Sequence, residues 1–337
     1  MADQKTKQFY GVGCDIGTMN IVAARRADKG VETKRMRDAF ISLPPTQMKM
    51  LKLAQTSFVE RDGEVLILGD AAMEMANVFG MEPRRPLSGG LVSASEMDAL
   101  DVLKLLVQSV LGDPKVPKEA CYFSVPAAPV DQPERDVIYH RGVFERIVEE
   151  CGFEPYPANE AMAIIFSECA PDGFTGVSFS FGSGMTNVAL AINTVEALSF
   201  SVARGGDWID KHSAQAVGAT QARMCALKEA GIDLMAPKNR EEEALVLYYK
   251  ALIEHALDQV AAKFEAIKSQ FALSKAIPMV VSGGTSKAGN FLEFFQKVWA
   301  KKQRRFPIEV TEVRQAKDPL NAVALGLLVQ ALQEYEG

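Results

Sequence analysis

The chain has 337 residues, of which 48% are hydrophobic and 24% charged, a balance that excludes an intrinsically disordered polypeptide. This length is more than one average core needs and suggests two domains. The net charge of -6 at pH 7 argues against a nucleic-acid partner, because dedicated nucleic-acid-binding proteins usually carry a basic excess.

The compartment follows from the cysteines and from the apolar stretches. Five cysteines are scattered without CxxC spacing, which is typical of reduced thiols packed as small apolar groups in a cytosolic protein. Residues 1–8 are polar and precede no apolar signal region, and no apolar stretch approaches the roughly 20 residues that span a bilayer. We therefore expect a cytoplasmic protein, with room for a peripheral membrane or membrane-protein partner.

In the first half, short apolar runs alternate with turn residues and helical patterns. Asp62-Gly63 is a strong turn pair and predicts a hairpin. Ser95 resembles a helix start, and Pro133 suits the first turn of a helix. The predicted elements are strands at 9–14, 21–24, 56–60, 64–68 and 121–125, and helices at 97–111 and from Pro133 to about 151.

The second half repeats the strand–turn–strand pattern of the first. The clearest helix covers residues 241–271, where apolar side chains recur three or four residues apart. The predicted elements are strands at 176–181, 188–192, 195–202 and 278–281, and helices at 241–271 and 320–335. Glycine-bearing units recur about 165 residues apart, with Asp15 in the first and Ser180 in the second. This recurrence indicates a duplicated α/β domain.

Three strand-ending glycine turns could hold a ligand: residues 15–18, 182–186 and 283–285. Glycine permits a positive φ, and its missing Cβ lets a ligand approach the backbone amides. Exposed amides and hydroxyls in such turns form a nest for phosphate oxygens, and the carboxylate of Asp15 could hold Mg²⁺ through water. Neither the Walker A pattern nor GxGxxG occurs, so the sequence supports neither a P-loop nor a Rossmann site.

In their order, these turns resemble the two phosphate loops and the adenosine loop of the actin, heat-shock chaperone and sugar kinase superfamily. Other segments are similar to the bacterial actin MreB family in particular. They lie at residues 68–69, 85–92, 125–135, 151–163, 205–210 and 317–326. The resemblance covers about residues 9–332.

The resemblance implies a duplicated actin-like ATPase fold: two α/β domains, each with a mixed five-stranded sheet and flanking helices, around a nucleotide cleft. Domain I would comprise residues 1–155 with the C-terminal helix 318–337, and domain II residues 156–317. It also implies ATP or ADP with Mg²⁺ as ligands and self-association into filaments. A full-length heat-shock chaperone would need a substrate-binding domain, which we do not expect in a chain that ends at Gly337.

The implied site residues fall into four groups. Phosphate binding is expected from Gly17, Thr18, Met19, Asn20, Gly182, Ser183, Gly184, Met185 and Thr186. Adenosine contacts are expected from Gly283, Gly284, Thr285, Lys228 and Glu229. Asp15 and, through water, Ser180 would hold the metal, and Glu134 or Gln132 would orient the attacking water.

The chain departs from the family pattern at two acidic positions. Ser180 stands where members generally carry aspartate at the start of the second phosphate loop, and Asn187 stands where chaperone-type members have another acid. Asp15 is therefore the only clear carboxylate expected around the metal, and we expect slow hydrolysis. Two alternatives remain open: a monomeric adaptor or pseudo-ATPase resembling PilM or FtsA, and a small-molecule kinase of the same superfamily.

Overall fold

The computed structural model describes residues 10–93, 99–135, 137–267 and 276–334. Its strands are β1 (Val12–Ile16), β2 (Asn20–Arg26), β3 (Val31–Arg37), β4 (Phe40–Leu43), β5 (Val59–Arg61), β6 (Glu64–Leu68), β7 (Leu87–Ser88), β8 (Leu91–Val92), β9 (Ala120–Val125), β10 (Glu154–Asn159), β11 (Gly176–Phe181), β12 (Thr186–Ile192), β13 (Val195–Val202), β14 (Ile277–Ser282) and β15 (Val310–Gln315). Its α-helices are α1 (Met48–Leu53), α2 (Asp70–Phe79), α3 (Leu100–Leu111), α4 (Val137–Glu150), α5 (Glu160–Glu168), α6 (Gly206–Val217), α7 (Gln221–Glu229), α8 (Arg240–Ile267), α9 (Phe291–Lys302) and α10 (Ala322–Gln333).

Two mixed sheets of five strands share one topology. The first has the order β10-β9-β1-β2-β3, and the second has the order β15-β14-β11-β12-β13. In each sheet, a meander of three antiparallel strands is extended by two strands that run parallel to its first strand. The predicted duplication and the two-sheet α/β fold are therefore confirmed.

Helices α5 and α10 lie between the two sheets and approach each other closely. A Cβ on Gly326 of α10 would lie 1.7 Å from the carbonyl oxygen of Ala163 in α5. A Cβ on Gly13 of β1 would lie 2.2 Å from the carbonyl oxygen of Ala324. These glycines are needed because backbone meets backbone at both crossings.

Each sheet buries its own apolar core. Helices α3 and α4 cover the first sheet through residues such as Leu106 and Phe144, both fully buried. Helices α6 to α9 cover the second sheet, where α8 contributes a buried stripe from Ala244 to Phe264. The predicted apolar stripe of this helix is confirmed, and it includes Tyr249, whereas Tyr248 is only partly buried.

A smaller unit is inserted into the first half between β3 and β9. It contains the sheet β4-β6-β5, with α1 and α2 packed on it around Leu51 and Ile67. The predicted hairpin is confirmed, because Asp62 and Gly63 join β5 to β6 with φ values of 50° and 80°.

Several predicted boundaries differ from the structure. Pro133 lies in a turn closed by a hydrogen bond from the amide of Arg135 to the carbonyl of Gln132, and α4 begins at Val137. The prediction that Pro133 starts this helix was wrong, because a proline that suits a first turn also suits a tight turn before one. The predicted helix start at Ser95 lies outside the described residues, as do residues 268–271 and Tyr335 of two other predicted helices.

Among the described residues, no helix combines the length and the apolar character needed to cross a bilayer.

Candidate functional site

A cavity of about 520 Å³ opens between the strand ends of the two sheets. Its walls contain most of the residues that the sequence nominated: Asp15, Gly17, Thr18, Met19, Asn20, Ser180, Gly182, Ser183, Gly184, Met185, Lys228, Glu229, Gly283, Gly284 and Thr285. Three nominated residues do not line it: Gln132, Glu134 and Thr186. The three glycine turns therefore converge on one cavity although they are far apart in sequence.

The first turn joins β1 to β2 and presents Asp15 at its start. The amide of Gly17 donates to the carbonyl of Asn20 at 3.0 Å and closes the turn. Ser124, near the end of the neighbouring strand β9, donates its hydroxyl to Asp15 Oδ1 at 2.9 Å. Burial raises the pKa of Asp15 to about 6, and this hydrogen bond opposes the shift.

Thr18 fixes this turn to a second loop. Its Oγ1 accepts a hydrogen bond from the amide of Gly90 at 3.0 Å, in the turn between β7 and β8. Met19 and Asn20 complete this side of the cavity.

The second turn joins β11 to β12 and leaves one hydroxyl without a partner. The amide of Gly182 donates to the carbonyl of Met185 at 3.0 Å, which closes the turn as in the first half. The Oγ of Ser183 is buried and has no hydrogen-bond partner. A buried hydroxyl without a partner is costly, and a ligand oxygen in the cavity could accept the hydrogen bond that this hydroxyl does not make within the protein.

The tip of the second turn touches the first half directly. A Cβ on Gly184 would lie 2.1 Å from the amide nitrogen of Gly90 and 2.5 Å from Thr18 Oγ1. Only glycine fits between these atoms without moving backbone. Thr186 is fully buried behind the turn, where its hydroxyl donates to the carbonyl of Arg204 at 2.9 Å.

A second acid, Glu160, lies in the cavity wall. Ser180 donates its hydroxyl to Glu160 Oε1 at 2.6 Å, and Asn187 donates from Nδ2 to Glu160 Oε2 at 2.8 Å. Burial and, next, the charge of Asp15 raise the pKa of Glu160 to about 8, and the two hydrogen bonds oppose the shift. The expectation that Asp15 is the only carboxylate here is corrected, because the second half supplies its acid from a helix.

Glu160 is placed by the cap of helix α5. Asn159 Oδ1 accepts from the amides of Ala161 and Met162 at 2.9 and 3.0 Å, which fixes the first turn of α5. The first residue of the helix thereby faces the cavity. The sequence carries a signal for this residue, an asparagine cap followed by an acid, within the segment 151–163 that is similar to the MreB family.

Gln132 and Glu134 are not brought to the cavity. Both side chains are exposed on the turn before α4. Their neighbour Arg135 instead donates from its guanidinium to the carbonyl of Gly89 at 2.7 Å, in the turn between β7 and β8. Their position in this structure does not support the water-orienting role that the resemblance implied.

The third turn follows β14 and packs under the second. Gly283 has a φ of 91°, and a Cβ there would lie 2.5 Å from the carbonyl oxygen of Phe181. Thr285 donates its hydroxyl to the carbonyl of Gly182 at 2.9 Å. The adenosine-type turn and the second phosphate-type turn are therefore one hydrogen-bonded unit.

Lys228 and Glu229 line the cavity and are each engaged in an ion pair. Lys228 Nζ lies 2.9 Å from Asp210 Oδ2 and donates to the carbonyl of Gly206 at 2.9 Å. Arg37 of the first half contacts Glu229 at 2.7 Å. Burial raises the pKa of Asp210 to about 6, while Lys228 lowers it.

A further ion pair joins the two halves, since Arg85 lies 3.2 Å from Asp207 at the start of α6. In the described part of the chain, no group of three or more histidine, cysteine or acidic side chains forms a metal cage. A divalent ion here would therefore take few ligands from the protein. Asp15 and Glu160 could contact it and Ser180 could act through water, with the remaining ligands from a bound molecule and water, the mode that Mg²⁺ favours.

Solved structures with the same fold are actin-like. "MamK double helical filament" matches with a TM-score of 0.71 at 17% identity, over 97% of this chain and 99% of that one. MreB5 of Spiroplasma citri bound to ADP matches with a TM-score of 0.65 at 16% identity, over 98% and 99%. The ethanolamine utilization protein EutJ of Carboxydothermus hydrogenoformans matches with a TM-score of 0.54 at 17% identity, over 97% and 91%.

These likenesses confirm the actin-like, MreB-like fold that the motifs indicated. No curated protein sequence matches the chain. A family model does: the model described as Volactin matches residues 11–331, which is nearly the whole chain. The chain therefore belongs to the volactin family.

Proposed function

We propose that this protein binds ATP and ADP with Mg²⁺ in the cavity between its two sheets, assembles into cytoplasmic filaments and hydrolyses ATP slowly. The observation that carries the proposal is the convergence of three glycine turns from both halves on one cavity, with carboxylates on both sides of it.

The shape and donors of the cavity suit a nucleoside polyphosphate. Its volume of about 520 Å³ falls within the range of small-molecule sites. The unpaired hydroxyl of Ser183 offers a donor for a phosphate oxygen. Structures with this fold include MreB5 bound to ADP and a MamK mutant bound to AMPPNP, which supports an adenine nucleotide in the same cleft here.

The metal fits the acids that face each other across the cavity. Asp15 and Glu160 offer hard oxygen ligands, and Ser180 can contact a metal-bound water. A bound Mg²⁺ would neutralise charge on the phosphates and hold them in one geometry.

Hydrolysis requires a group that orients water, and Glu160 is our candidate in place of Glu134. Its carboxylate is buried in the cavity wall and held by two hydrogen bonds, whereas Glu134 is exposed outside it. We expect slow turnover, because Ser180 and Asn187 leave fewer negative charges around the metal than the aspartates of related loops.

Filament assembly rests on the fold and on relatives that assemble. MamK is described as a double helical filament, and one of its mutants as non-polymerising. ATP is available in the cytoplasm, and that is the location we propose.

Sedimentation with and without nucleotide tests the proposal. A fluorescent ATP analogue is first titrated against the full chain, and the chain is then centrifuged with ATP·Mg²⁺, ADP·Mg²⁺ or neither. We expect binding and an ATP-dependent pellet, both lost in Asp15→Asn. Asp28→Asn is the matched control, because Asp28 is exposed in the β2–β3 turn, and it should behave as wild type.

Three results would change this assignment. Absence of nucleotide binding would overturn the proposal as a whole. Binding without any pellet would favour a monomeric adaptor. ATP consumption that depends on an added sugar would favour a small-molecule kinase.

A further inference from the structure

Ser180 and Asn187 face the same carboxylate from adjacent strands. They are directly opposite each other in the β11–β12 pair. Ser180 Oγ donates to Glu160 Oε1 at 2.6 Å, and Asn187 Nδ2 donates to Glu160 Oε2 at 2.8 Å. Each oxygen of Glu160 therefore has its own donor, so the carboxylate can neither rotate nor swing away without losing a hydrogen bond.

The amide of Asn187 is itself oriented by a third strand. Ser201 is opposite Asn187 in the β12–β13 pair, and its hydroxyl donates to Asn187 Oδ1. Because Oδ1 is occupied by this donor, Nδ2 must face Glu160. Asn187 and Ser201 are both buried, so neither exchanges its partner for solvent.

Ser201 is also anchored to the first half of the molecule. Its amide donates to the carbonyl of Ala128 at 3.2 Å, and its carbonyl accepts from the amide of Val130 at 2.9 Å. A chain of hydrogen bonds thus runs from the segment after β9, through Ser201 and Asn187, to Glu160. The position of this acid is coupled to the contact between the two halves.

The chemistry of this network opposes the simplest interpretation of Ser180 and Asn187 as lost acids. An aspartate at either position would present an acceptor to Glu160 where a donor now lies. Two carboxylates at such a distance repel each other unless they share one proton, and Glu160 would then no longer be held by two hydrogen-bond donors.

We propose that Ser180 and Asn187 are positioning residues that hold Glu160 toward the cavity, so that an aspartate at either site impairs hydrolysis instead of restoring it. This inference rests on the proposed function, because it assumes that a nucleotide is hydrolysed in this cavity. It goes beyond that function by assigning the roles of Ser180, Asn187 and Ser201.

The test combines an isosteric substitution with a swap. Asn187→Asp is expected to lower kcat for ATP hydrolysis by about 10-fold, the scale of a small misplacement of a reacting group. The affinity for a fluorescent ATP analogue should stay within about twofold, because binding rests on the glycine turns. The melting temperature of the nucleotide-free protein should fall.

The swap Glu160→Gln with Asn187→Asp exchanges donor and acceptor. It should recover the melting temperature, because the amide of residue 160 then donates to the new carboxylate. It should not recover kcat, because the acid has moved to the wrong strand. Ser201→Ala is expected to lower kcat, whereas Ser199→Ala on the same strand, where the serine contacts the exposed Glu196, is the control that leaves it unchanged.

The outcomes separate this inference from the proposed function. A wild-type chain that binds no nucleotide would overturn the function, while recovery of the melting temperature by the swap would still support the hydrogen-bond geometry. Asn187→Asp that hydrolyses ATP faster would overturn the positioning role and show that an acid was missing. The positioning role would also be overturned if the wild type and all variants bound nucleotide without hydrolysing it. The same holds if the melting temperature of the double variant were no higher than that of Asn187→Asp.

Discussion

The two halves of the cleft share a topology but supply their acids differently. In the first half, Asp15 lies on the strand that leads into the turn and is held by Ser124 of the adjacent strand. In the second half, the equivalent strand carries Ser180, and the acid is Glu160 at the start of a helix. A duplicated fold can therefore have a carboxylate on each side of a cavity although only one of the two strands carries one, because a neighbouring helix presents the other.

The largest expected effect comes from removing the acid of the second half. Glu160→Gln preserves shape and one acceptor oxygen, but it removes the ionisable carboxyl group that would orient an attacking water. We expect phosphate release to fall about 100-fold, the lower range of a lost general acid or base. Binding of a fluorescent ATP analogue should persist.

Asp15→Asn tests the acid of the first half in the same way. It should weaken Mg²⁺-dependent nucleotide binding more than Glu160→Gln does. If both variants lose binding equally, the two acids act as one metal site, and the division of roles between the halves is wrong.

The glycine turns should differ in their tolerance of a side chain. Gly184→Ala places a Cβ 2.1 Å from the Gly90 amide and must push the two halves apart. Gly17→Ala meets only the carbonyl oxygen of Asn20, at 3.0 Å. We expect Gly184→Ala to weaken nucleotide affinity about 10-fold, by the cost of overpacking, and Gly17→Ala to change it less. Fluorescence titration of both variants measures the difference, and equal losses would contradict it.

Sequence patterns predict the parts of this site that local chemistry determines. The strand ends at Asp15 and Ser180 and the turn at Gly283 follow from apolar runs that stop at glycine, and all three line the cavity. The pattern does not predict β3, because its residues are almost all exposed and alternate no apolar face. The sequence also does not predict Glu160 as a site residue. A capping asparagine predicts where helix α5 begins, but not which part of the folded chain the side chain of its first residue faces.

The pH dependence of stability should distinguish the acids of the two halves. The pKa of Glu160 is raised from 4.5 to about 8, so the folded state holds a proton that the unfolded state releases across that interval. The contribution of Glu160 to stability is therefore full below about pH 4.5 and is lost as the pH rises toward 8, by at most about 1.4 kcal/mol per pH unit for one proton. For Asp15 the pKa is raised from 3.8 to about 6, so its contribution is lost by pH 6.

Denaturant unfolding of the nucleotide-free protein at pH 6 to 8 measures this slope. Glu160→Gln should flatten it relative to wild type. Asp15→Asn should reduce it less, because burial raises the pKa of Glu160 more than the charge of Asp15 does. A larger loss of slope in Asp15→Asn than in Glu160→Gln would mean that Asp15, and not Glu160, holds the proton between pH 6 and 8.

The smallest effect is expected at the two residues that the sequence nominated and the structure leaves outside the cavity. Glu134→Gln and Gln132→Ala should change phosphate release by less than about twofold, as exposed substitutions away from a site generally do. Arg135→Ala should have a larger effect than either, because Arg135 donates to the carbonyl of Gly89 in the turn that contacts Thr18 and Gly184. Through this contact the segment before α4 would support the meeting of the two halves without supplying an acid. A loss of about 10-fold in Glu134→Gln, with Arg135→Ala near wild type, would mean that nucleotide binding moves this segment into the cleft and that the first half contributes two acids.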